Sequence, residues 1–79
     1  MTSQNITIDR RVLRTKKNIR QAFLSLLSNK SLTHITVKEL SDLADINRKT
    51  FYMYYSNIED ILAELEDELV QKLILVFEK

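Results

Sequence analysis

The chain contains no glycine, no proline and no cysteine. Each absence excludes something. Without cysteine there is no disulfide framework and no thiolate metal site. Without glycine, the tight turns that β-hairpins favour lose their usual residue, so an all-helical fold with Asn, Asp and Ser in its turns is expected. The absence of proline is read the same way, as favouring an all-helical fold. No apolar run approaches the ~18 residues that span a bilayer, and the opening MTSQNITIDRR carries no apolar leader segment. A cytoplasmic chain of one domain at most, or a fragment of a larger one, is expected. Its 79 residues bury too little surface for a large core.

The signs of catalysis are missing as well. There is no Gly-rich phosphate loop and no serine at a recognisable distance from a histidine. His34 is the only histidine. A single histidine does not make a metal site, which needs several ligands in a fixed geometry. Neither an enzyme nor a cofactor is expected.

The net charge of +1 hides an uneven distribution. Residues 1–50 hold ten Lys/Arg against four acids, whereas residues 51–79 hold two against seven. A basic half facing a polyanion and an acidic half facing away is one reading; two solvated faces is the other. Glu64, Glu66, Asp67 and Glu68 are read as an exposed, solubilising helix face.

Hydrophobic periodicity divides the chain. Residues 1–9 have none and read as a flexible arm. Arg10, Arg11 and Arg14 read either as solvated charge or as an extension entering a minor groove. A first helix is expected from Thr15 as N-cap to about Ser28, with a backward extension through Arg10–Arg14 left open. Its stripe is Ile19, Ala22, Phe23, Leu26 and Leu27, one buried face. Asn29 stands where a left-handed C-terminal residue would fall. Thr36 and Glu39 read as a capping box opening a second, short helix with Val37, Leu40, Leu43 and Ala44 inward. Asp45 is placed in a left-handed turn, Ile46 as an apolar plug, and Asn47 as N-cap of a third helix from Arg48 to about Tyr54. Two short helices joined by about three residues form the helix-turn-helix pattern. Asn57 with Asp60 caps a long fourth helix whose end, LVQKLILVFEK, is apolar nearly all round. Such a surface requires cover, from further chain or a second copy.

In a helix-turn-helix the second helix enters the major groove. Arg48 and Lys49 suit guanine O6 and N7, and Thr50 suits a base edge or a thymine methyl. Tyr52 and Tyr54 suit phosphate oxygens. Phe51 and Tyr55 are assigned to the core; Met53 is left unassigned. Thr36 and Lys38, at the start of the second helix, are candidates for backbone contact.

The runs TKKNIRQAFLSLL, ITVKEL and ADINRKTFYMYYSNIEDIL, in this order, resemble the N-terminal DNA-binding domain of TetR-family transcriptional regulators over residues 14 to about 62. The resemblance implies an all-α, three-helix head over 10–56 and a linking helix from 57 onward, leading to an effector-binding and dimerisation domain outside this chain. It implies a regulator, most commonly a repressor, that binds palindromic double-stranded DNA as a homodimer and releases it when a small molecule binds elsewhere. By motif position the DNA-facing residues are Thr36, Lys38, Asn47, Arg48, Lys49, Thr50, Tyr52 and Tyr54. Three positions depart from the family pattern: Asp45 replaces a usual glycine, Asn47 a frequent serine, and Ile58 a common lysine. The competing expectation is a small interaction module that uses its apolar C-terminal helix and binds no DNA.

Overall fold

The computed structural model describes residues 9–78. It is all-α: α1 (Arg10–Leu27), a single 3-10 turn (Leu32–His34), α2 (Val37–Ala44), α3 (Arg48–Tyr54) and a long α4 (Ile58–Phe77). Residues 1–8 of the expected arm lie outside the described part.

Asp9, not Thr15, caps α1. Its carboxylate accepts from the Arg11 backbone N–H at 2.9 Å, and Thr15 is half-buried well inside the helix. Nothing between Arg10 and Arg14 interrupts helix formation, and a carboxylate complements the helix N-terminus better than a threonine hydroxyl does. At the other end Asn29 is not left-handed, because Asp45 is the one non-glycine residue with positive φ among the described residues. The free Ser25 carbonyl is instead satisfied by side chains, the Ser28 hydroxyl at 2.7 Å and Asn29 Nδ2 at 3.1 Å.

Thr36 caps α2, its hydroxyl oxygen accepting from the Glu39 N–H at 3.1 Å. The reciprocal half of the expected box does not form. Glu39 turns to Lys30 Nζ at 2.7 Å, where an ion pair replaces the backbone contact. Asp45 ends α2 at φ 61°, ψ 45°. This left-handed residue lets the Ile46 N–H return to the Ser41 carbonyl at 2.9 Å, so the chain reverses and Ile46 packs on the core. Asn47 Oδ1 then accepts from the Thr50 N–H at 2.8 Å and opens α3. The pattern repeats at Asn57, which accepts from the Asp60 N–H at 2.9 Å, while the Asp60 carboxylate accepts from the Ser56 N–H at 3.0 Å.

These turns aim the apolar faces at one core: Ile19, Ala22 and Phe23 of α1, Ile35, Leu40 and Ala44, Phe51 and Tyr55, Ile58 and Ile61. Phe23, Phe51, Ile19, Leu40 and Ile61 are fully buried. Each such side chain contributes about 1.5–3 kcal/mol relative to exposure. Leu43, expected inward, is 53% exposed; Ser41 takes a buried place on α2 instead. The Ser41 hydroxyl is buried without a hydrogen-bond partner among the described residues.

Only the first part of α4 meets this core. Ile58 and Ile61 are buried, and Leu62 and Leu65 pack at its edge. From Leu69 to Phe77 the helix is exposed on every side. No helix among the described residues is long and apolar enough to cross a membrane.

Candidate nucleic-acid interface

The α2–turn–α3 unit holds α3 with one side in the core and the rest outward. Phe51 anchors it, fully buried, with its ring centroid 5.8 Å from that of Tyr55. At about 100° per residue, Lys49 and Met53 fall about 20° to either side of the line opposite Phe51. Tyr52 and Thr50 flank them, whereas Arg48 and Tyr54 lie nearer the core side. Exposure follows this order except at Arg48, which is exposed at the open end of the helix. Met53 is 70% exposed and Tyr52 55%, Thr50 is intermediate, and Tyr54 is half-buried and packs against the core. The expected division of aromatics holds for Phe51 and Tyr55 inward and Tyr52 outward. Tyr54 departs from it, because its position on the helix turns its ring toward the core edge.

Arg48 and Lys49 are exposed and form no ion pair among the described residues. Two cations at a helix start face an unfavourable dipole, which an external anion would relieve. The Asn47 carboxamide oxygen is engaged by its cap, and Thr36 serves its own helix in the same way. Lys38 is exposed and meets Asp42 at 3.1 Å. An exposed i,i+4 pair is weak, and Lys38 is readily turned to another anion. His34, in the connector, has Nδ1 2.6 Å from the Ser31 hydroxyl.

The acids of α4 behave differently from the solubilising face expected of them. Glu64 accepts from Lys16 Nζ at 2.6 Å, from Arg20 Nη2 at 2.6 Å and Nε at 3.0 Å, and from the Tyr55 hydroxyl at 2.6 Å. Arg20 also forks onto Glu68, at 2.5 and 3.2 Å. Burial alone pushes the Glu64 carboxyl upward, but the donors Lys16, Tyr55 and Arg20 together outweigh it and hold the group at about 2. Burial first, and then Glu64 as acceptor, push the Tyr55 hydroxyl up to about 12. Burial opposes the charge of Arg20, yet its bonds to Glu64 and Glu68 raise it above the usual guanidinium range. Lys16 and Arg20 are therefore internal partners, and the basic half of the chain is less free than its count of cations indicates. Glu66 and Asp67 remain exposed, as expected.

Sequence reasoning missed this cluster because Lys16 and Arg20 are separated from Glu64 and Glu68 by more than forty residues. Their i,i+4 spacing on both helices was the available signal. It also left Met53 aside, although a helical wheel drawn from Phe51 marks it as outward. Among the described residues no group of His, Cys, Asp or Glu is arranged to hold a metal ion.

Two curated relatives share this region. The chain is 41% identical over 56 residues to an uncharacterized HTH-type transcriptional regulator, YxbF, of Bacillus subtilis (strain 168), an alignment covering 70% of this chain and 15% of the relative. It is 37% identical over 49 residues to the HTH-type dhaKLM operon transcriptional activator DhaS of Lactococcus lactis subsp. lactis (strain IL1403), covering 62% of this chain and 26% of the relative. The aligned parts are thus a small share of both proteins. No family model and no solved structure matches the chain. Similarity to two helix-turn-helix-type regulators accords with the α2–turn–α3 geometry.

Proposed function

We propose that the chain is a DNA-binding head of TetR type that regulates transcription by docking α3 in the major groove of double-stranded DNA. One observation carries the reading: α3 is anchored by Phe51 and turns outward a surface of Lys49, Thr50 and Tyr52, with Arg48 beside it and, among the described residues, no acid paired to either cation. Thr36, Lys38 and Asn47 border that surface from the start of α2 and from the turn, and Tyr54 flanks it with a half-buried ring. Phosphate contacts would supply most of the affinity, and α3 the sequence preference.

Similarity to two proteins named as HTH-type transcriptional regulators supports a regulatory role. The order of the three motifs supports the TetR assignment, and with it cytoplasmic action as a homodimer on a palindromic operator and a small-molecule effector bound outside these residues. Residues 10–56 would form the head and 57–79 the start of a linking helix. The proposed direction is repression by occluding a promoter. The Lactococcus relative is named an activator, and a promoter–reporter assay separates the two directions.

The test is fluorescence anisotropy of the 79-residue chain on duplexes selected from a random pool, repeated over a range of salt. Expected is saturable binding that weakens steeply as salt rises. Absence of binding at low salt, for both the chain and a tandem-linked dimer, overturns the reading. A second reading, association through the apolar end of α4 without DNA binding, is favoured by the exposure of Leu69, Leu73 and Phe77. It predicts self-association that survives neutralisation of Arg48 and Lys49.

A further inference from the structure

The most exposed apolar side chain of α3 is not one of the residues that draw attention in the sequence. Met53 is 70% exposed, more than Tyr52, and takes no part in the core. It lies one helical turn beyond Lys49 and three residues beyond Thr50. With Lys49 it straddles the line opposite the buried Phe51. A helix anchored by Phe51 and lowered into a groove by its opposite side carries Lys49 and Met53 deepest, while Thr50 and Tyr52 face the walls.

The chemistry of the pair is mixed. Lys49 offers a mobile cation to guanine O6 and N7. The methionine thioether is flexible and apolar; it donates no hydrogen bond and accepts only weakly. The apolar group that a major groove displays at its floor is the thymine C5-methyl. A base edge presenting only donors and acceptors would lose its water to Met53 and gain no partner, which is unfavourable.

We infer that Met53 is a specificity-determining residue that reads a thymine methyl in the major groove, next to the base contacted by Lys49. The inference rests on the DNA-binding reading above and adds the base that α3 selects. Met53 acts by burying one methyl group against its side chain, and it discriminates thymine from cytosine by contact and not by hydrogen bonding.

Replacing thymine by deoxyuridine removes the methyl group and leaves the pairing edge unchanged. The experiment takes the tightest duplex selected from a random pool by the 79-residue chain. Each thymine in turn is replaced by deoxyuridine, and affinity is measured for the native chain and for Met53→Ala. Expected is one position per half-site at which deoxyuridine weakens the native chain by about fourfold, the weight of one buried methyl. At that position Met53→Ala binds thymine and deoxyuridine equally. Circular dichroism of Met53→Ala should match the native chain, since an exposed side chain is removed. A flat deoxyuridine scan with the native chain, or a scan unchanged in Met53→Ala, overturns the inference while leaving DNA binding in place. If no duplex is bound at all, the DNA-binding reading fails first and this inference with it.

Discussion

The Tyr55 hydroxyl donates to Glu64 Oε1 across 2.6 Å, joining the residue that ends α3 to the second turn of α4. The same carboxylate receives Lys16 and Arg20 of α1. Lys16 Nζ lies 5.4 Å from the centroid of the Tyr55 ring, so cation, ring and carboxylate form one half-buried cluster. Three helices meet at this single acid, which ties the end of α3 to α1 and α4.

Glu64→Gln is expected to destabilise the fold by roughly 2 kcal/mol, less than for a fully buried pair because Glu64 keeps some solvent. It should also remove a pH dependence. The carboxyl titrates near 4.5 when unfolded and about 2 when folded. A depressed folded value means that the stabilisation is present above pH ~4.5 and is lost as pH falls toward ~2. Urea midpoints measured from pH 6 to pH 2 should drop for the native chain and drop less for Glu64→Gln. Equal acid limbs for the two would exclude Glu64 as the origin. On the alkaline side Tyr55 has a raised folded value, so its contribution is present below pH ~10 and is lost as pH rises through ~12.

Local signals in the chain made the helix-turn-helix legible. Asn47 and Asn57 cap where Asx residues cap, Asp45 takes the left-handed turn, and Phe51 and Tyr55 share the inward face. The errors have two physical sources. Thr15, Asn29 and the return half of the Thr36–Glu39 box were outcompeted by nearby partners: Asp9, the Ser25 carbonyl and Lys30. Glu64 and Glu68 were misread because their partners lie on another helix, and local periodicity does not carry that information. Leu43 failed for a similar reason, since which of several apolar residues on a short helix faces inward depends on how α1 and α3 approach it.

Asp45→Gly should stabilise the fold by about 0.5–1 kcal/mol. A side chain at φ 61° carries a steric penalty that glycine avoids, partly offset by the greater freedom of glycine in the unfolded chain. Thermal unfolding by circular dichroism reads it directly. A lower midpoint for Asp45→Gly would mean that the aspartate side chain contributes more than its strain subtracts.

Ser41→Ala is expected to be neutral or stabilising by up to ~1 kcal/mol. The hydroxyl is buried without a partner, and alanine is the better helix former. The Ser41 carbonyl keeps its bond from Ile46, so the turn is unaffected. A loss of more than ~1 kcal/mol in urea unfolding would reveal a partner for the hydroxyl.

Thr50→Ala and Tyr52→Phe should separate readout from grip. If Thr50 reads a base, its loss weakens the selected duplex by about 1–3 kcal/mol and relaxes preference at one position. Tyr52→Phe removes only a hydroxyl and should weaken all duplexes alike. Anisotropy on the selected duplex and on a scrambled one distinguishes the two. A sequence-dependent loss with Tyr52→Phe would move that residue from the phosphates to the bases.

The exposed end of α4 leads to the last prediction. Leu69, Leu73 and Val76 continue the line of Leu62 and Leu65 beyond the head, and Phe77 is 83% exposed. Water contact along such a stripe is unfavourable by about 25 cal/mol per Å² of apolar surface. Residues 69–77 carry one cation, Lys72, and no acid, whereas residues 59–68 carry six acids and no cation. An antiparallel pair of α4 helices brings Lys72 of each toward the acids of the other; a parallel pair sets Lys72 against Lys72. Sedimentation should therefore show reversible self-association that weakens as salt rises, and Leu73→Glu should weaken it about tenfold or more by placing an unpaired charge in the stripe. Lys72→Glu separates the geometries. It should weaken an antiparallel pair by adding an acid beside acids, and in a parallel pair it would only exchange one like-charge contact for another. A clean monomer at high concentration would leave the stripe without a second copy as its cover.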